Sequence, residues 1–71
     1  MTRFGHFLRG NRLRIADVAE YSTVPEKRLR AIEAGADMRI NELYHLVGAC
    51  SYLLGRRVQV TELFGDTKES I

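Results

Sequence analysis

The residues best suited to chemistry in this 71-residue chain are charged and crowded: Lys27, Arg28 and Arg30 follow directly on Glu26. Their stretch, TVPEKRLRAIEAG (23–35), carries a thin apolar stripe of Leu29 and Ile32. A helix that only filled a core would have no use for three cations beside so thin a stripe. A surface that meets a polyanion would. The same bias runs along the chain. Residues 1–30 carry seven Lys or Arg against three Asp or Glu, and residues 31–71 carry four against six, so a net charge of +2 conceals one cationic half.

Other chemistry is poorly provided for. There is no nucleophile–base pair, no glycine loop to cradle phosphate and no set of ligands at metal-binding spacing, and His6 and His45 stand far apart. No enzyme activity, cofactor or metal is expected. The lone cysteine, Cys50, leaves no internal disulfide and lies on an apolar stripe, where it reads as packing.

A chain of this length makes one domain, near the lower limit for folding without a staple. Its stability must come from packed helices, from self-association, or from both. No segment approaches the roughly 18 uncharged apolar residues of a membrane span. MTRFGHFLRG has no apolar core of a secretory signal. The expectation is a cytoplasmic protein that meets no membrane.

The elements that must hold these charges are helical by apolar spacing. Phe4, Phe7 and Leu8 make a first helix, which Gly10 and Asn11 end. Asn11 is expected to cap a second, carrying Leu13, Ile15, Val18 and Ala19 and interrupted by Ser22 and Thr23. Thr23 and Glu26 have capping-box spacing for a third, with Pro25 in its first turn and Gly35 as its stop. Asn41 is expected to cap a long fourth helix through Leu43, Leu46, Val47, Cys50, Leu53 and Leu54 to Gly55. A short last helix falls around Thr61 to Phe64, after RRVQV (56–60), which could hold a brief extended piece. The prediction is an all-α, compact five-helix bundle over residues 1–66, with a short polar tail at 67–71.

Residues 15–35, IADVAEYSTVPEKRLRAIEAG, read as helix, tight turn, helix and glycine stop, with Ile15, Val18, Ala19, Val24, Leu29 and Ile32 as anchors. VAEYSTVPEKRLRAIEAG resembles, without a gap, the LAEKLGVSRSTISRIERG core of the Cro/repressor-like (XRE-type) helix-turn-helix family. Ala19 falls on the family's small residue, Val24 on its post-turn Val, Leu29 and Ile32 on its two Ile, and Glu33-x-Gly35 on its Glu-x-Gly ending. FGHFLR (4–9) is similar to the start of the family's first helix, and NELYHLVGAC and VTELFG to its last two, so the likeness spans residues 4–65. The chain departs at Thr23, where the family has a turn glycine, at Ser22, and at Ile15, where it often has a phosphate-touching glutamine. A β-branched residue is disfavoured at positive φ, so a remodelled turn is expected, with Thr23 capping the next helix.

The resemblance implies a lambda repressor-like domain that binds double-stranded DNA with its third helix in the major groove. Carried over by position, Pro25, Glu26, Lys27 and Ala31 face the bases. Lys27 would donate to guanine, Glu26 would accept from cytosine or complete the capping box, and Ala31 would meet a thymine methyl. Arg28 and Arg30 would flank that face and hold phosphate, with Arg12, Arg14 and Arg39 as further phosphate candidates. Glu33 would pair with Arg9. Useful specificity implies a homodimer on two half-sites, and Tyr44, Tyr52, Val58, Val60 and Phe64 are candidates for its interface or, alternatively, simply finish a small core. The reading is a transcriptional regulator, in the first place a repressor, with no small-molecule ligand. The alternative is an antitoxin-like protein-interaction module that keeps the fold with weak or no DNA binding.

Overall fold

Residues 2–64 are described by a computed structural model. They form α1 (Arg3–Gly10), α2 (Ile15–Ser22), α3 (Glu26–Glu33), α4 (Ile40–Leu54) and α5 (Val60–Phe64), with no strand among them. The expected boundary at 66 and the tail at 67–71 lie outside the described residues.

Local chemistry explains where each helix begins and ends. Thr2 caps α1: its Oγ1 accepts from the Gly5 N–H at 3.0 Å and donates to the Glu33 carbonyl at 2.8 Å, so one hydroxyl ties the start of α1 to the end of α3. Asn11 closes α1 and does not open α2 as expected. Its Nδ2 donates back to the Phe7 carbonyl at 2.9 Å, and Arg12 then takes a left-handed φ of 57° while the Leu13 N–H returns to Leu8. The second helix can start only after that reversal, from an extended Arg14 without a side-chain cap.

The turn between α2 and α3 also differs from expectation. Thr23 is left-handed, with φ 61° and ψ 9°, so the glycine-like turn is kept by a β-branched residue and is not remodelled. In that conformation Oγ1 donates back to the Ser22 carbonyl, and the Thr23–Glu26 capping box is absent. Ser22 is buried and its Oγ accepts from the Val24 N–H at 3.2 Å, which braces the turn from inside. Pro25, at φ −58°, is the residue just before α3 and so precedes the first turn in which it is expected. Gly35, at φ 120°, lets the Ala36 N–H reach back to Ala31 and stop α3.

Asn41 lies inside α4, which begins one residue earlier. The preceding Arg39 N–H donates to Glu42 Oε1 at 2.9 Å, half of a capping box made from the carboxylate side alone. Gly55, left-handed at φ 68°, ends α4. The 56–59 link has no extended pairing, and it turns inward: Val58 is buried and its N–H donates to Ser51 Oγ at 2.9 Å.

Packing follows the apolar stripes. α2 lies chiefly against α4, α1 against α5, and α3 against α2. Val18, Leu29, Leu46, Cys50 and Leu63 are sealed at the centre, with Phe4, Phe7, Leu8, Val24, Ile32 and Leu43 around them. Among the described residues no helix is long and apolar enough to cross a membrane.

Candidate functional site

Leu29 and Ile32 are three positions apart and both buried, so they fix which way α3 faces. With that stripe against the core, Glu26, Lys27, Arg30 and Ala31 are exposed together, and Pro25 stands exposed at the helix entrance. Lys27 makes no ion pair among the described residues. Glu26 and Arg30 pair across one helical turn at 3.0 Å, with both side chains largely in water. Such a pair is worth only about 0.3–0.5 kcal/mol and opens readily to a competing partner.

Arg28 is placed differently from its neighbours. Its Nε donates to Glu42 Oε2 at 2.7 Å, and one terminal nitrogen donates both to Glu42 Oε1 at 3.0 Å and to the Asp37 carbonyl at 2.6 Å. This two-pronged contact clamps α3 to the start of α4, and it gives Arg28 a bridging role in place of the freely offered cation expected of it. The Arg28 guanidinium, followed by the Arg39 N–H, holds the Glu42 carboxyl down at about 2 from an ordinary 4.5. The carboxylate in turn raises the affinity of Arg28 for its proton. Because Glu42 accepts from both, the clamp also brings the backbone of Arg39 to the flank of α3, leaving its side chain exposed.

Arg12 and Arg14 are exposed at the entrance to α2, Arg12 in the reversal and Arg14 immediately before the helix. The Arg9–Glu33 ion pair does not form. The end of α3 is instead tied to α1 by the Thr2 hydroxyl on the Glu33 carbonyl. Arg56 pairs with Glu62 at 3.0 Å, and that contact, with the Gln59 N–H, lowers the Glu62 pKa. Among the described residues no group of three or more His, Cys, Asp or Glu could hold a metal ion. Cys50 is fully buried, and burial pushes its thiol up to about 11.

The residues proposed for self-association divide. Tyr44, Tyr52 and Val60 are exposed, whereas Val58 belongs to the core because the 56–59 link folds inward, and the Phe64 side chain lies outside the described residues. Two exposed apolar residues were missed, Ile40 and Tyr21, and Tyr21 packs against Tyr52 with ring centroids 5.0 Å apart. Glu42 was missed as well. Its signal was the Arg39-x-x-Glu42 spacing, which was hidden by Asn41 as the more obvious cap.

Comparison of the chain with known protein families, with curated proteins and with solved structures finds no match.

Proposed function

We propose that the chain is a sequence-specific DNA-binding regulator, in the first place a repressor. In this reading α2, the turn and α3 act as a helix-turn-helix, and a homodimer occupies a palindromic operator. The observation that carries the reading is the exposed side of α3, where Lys27, near the helix N-terminus, has no ion-pair partner among the described residues and stands beside a Glu26 that is only weakly paired with Arg30 one turn on. Residues there reach base edges when such a helix enters the major groove. Lys27 donates to guanine O6 and N7. Opening the Glu26–Arg30 pair frees Glu26 to accept from a cytosine amino group and Arg30 to hold phosphate. Arg12, Arg14 and Arg39 supply further phosphate contacts. Arg28 acts indirectly, by fixing α3 against α4 through Glu42.

A second reading, an antitoxin-like protein-interaction module with weak or no DNA binding, is favoured by the commitment of Arg28 and Arg30 to carboxylates. The two readings separate in a competition between genomic fragments, including the region upstream of the chain's own gene, and random DNA. The regulator selects one fragment. Arg30→Ala then reduces the log–log salt slope by about 0.9, and Lys27→Ala relaxes discrimination at one base pair by about 1–3 kcal/mol. If no fragment outcompetes random DNA at moderate salt, the regulator reading fails and the interaction module stands.

A further inference from the structure

We propose that the outer face of α4, the stripe Ile40–Tyr44–Gly48–Tyr52 with Tyr21 beside it, receives a second copy of this chain, and that the two α4 helices cross at Gly48. The inference rests on the regulator reading in that two half-sites require a dimer, and it assigns the surface that makes one.

The stripe runs in four-residue steps along one side of α4, and its large members are open to water: Ile40 is 68% exposed, Tyr44 65%, Tyr52 69% and Tyr21 49%. Glycine weakens a helix interior, yet nothing among the described residues calls for one at position 48, where an added Cβ would meet none of their atoms within 4 Å. A neighbouring backbone passing close to the helix does call for one. A ridge of four-residue steps packs against its own copy at about −50°, which places the two Gly48 residues at the crossing and a tyrosine on either side of each. Two-fold symmetry lets the same patch meet itself.

Charge favours another copy over a nucleic acid. From Leu43 to Gly55 there is no Asp, Glu, Lys or Arg, in a chain that is 28% charged, so two helices crossing at Gly48 bring no like charges together at the crossing and a phosphate backbone finds no cation there; charge stands only at the ends of the face, with Arg39 and Glu42 beside Ile40 and Glu20 beside Tyr21. The exposed surface of the three tyrosines and Ile40 is on the order of 500 Å² per copy, so complete burial of both faces gives at most about 1,000 Å² in total, the lower bound of a specific interface. The open cations of α3 lie outside the stripe and stay free for DNA.

The chain's three tyrosines all lie on this face and it has no tryptophan, so its intrinsic emission reports on the interface. The test is sedimentation equilibrium of the full chain from about 1 µM to about 1 mM, with tyrosine anisotropy followed over the same range. Wild type is expected to dimerise with a change in tyrosine anisotropy. Gly48→Gln should raise the dimer Kd at least about tenfold while its monomer, with a better helix former at an open position, keeps its helical circular dichroism. Tyr44→Ser should act in the same direction. A wild type that stays monomeric throughout, or a Gly48→Gln chain that dimerises as wild type does, overturns the proposal. DNA competition read alongside keeps the two ideas apart. A chain that dimerises through α4 yet selects no fragment sinks the regulator reading alone, and a selective chain whose association ignores Gly48 sinks the α4 surface alone.

Discussion

Glu42→Gln should remove a charge while leaving almost the same shape, since a glutamine oxygen can still accept from the Arg39 N–H. What is lost is the ionic part of the clamp on Arg28, whose Nε lies 2.7 Å from the carboxylate. In the folded chain that carboxyl is held at about 2, against 4.5 ordinarily. A displacement of that size corresponds to at most about 3 kcal/mol. Water still reaches both groups, with side-chain exposures of 30% for Arg28 and 15% for Glu42, so screening reduces the contribution of Glu42 to about 1–2 kcal/mol. Because the folded pKa is depressed, this stability is fully present above pH 4.5 and is lost as pH falls from 4.5 to about 2. Urea unfolding followed by helical circular dichroism, with both chains at one low concentration, measures the difference. The variant should be less stable than wild type by about 1–2 kcal/mol at pH 7, and the gap should close toward pH 2. A gap of equal size at both pH values would refute the reasoning, since the effect would then be one of shape. The absence of a gap at pH 7 would refute it equally.

Two further outcomes follow from local geometry. Thr23→Asn places a residue that tolerates left-handed backbone at φ 61°, and it should raise stability by about 0.5–1 kcal/mol; a loss in the same urea titration would mean that the Thr23 hydroxyl bond to Ser22 outweighs the backbone strain. Cys50, buried and pushed up to about 11, should resist a thiol reagent at pH 8 in the folded chain and react at once in denaturant, so rapid native labelling would contradict its place in the core.

The helical class, the five elements and most of the core were legible because amphipathic spacing is a local property. Phe4, Phe7 and Leu8, then Val18, Leu29 and Ile32, then Leu43, Leu46 and Cys50 announce their buried faces within one or two turns. Helix starts were read less well. Asn11 and Asn41 are good caps by type, but a reversal at Arg12 and the reach of Glu42 moved both starts, and neither event is visible in residue preference. Thr23 argued against a left-handed turn by its own propensity, and the packing of α2 on α3 around Ser22 and Val24 overrode it.

By itself, then, the sequence determined which helices form, which stripes they bury and which side of α3 carries its charges, because each of these follows from spacing along one helix. Tertiary structure decided which of those charges are free. Arg28 finds Glu42 fourteen residues away, Val58 turns into the core through Ser51, and Tyr21 meets Tyr52 across two helices. Each depends on a distance through space between residues well apart in the chain, and no local periodicity encodes that distance.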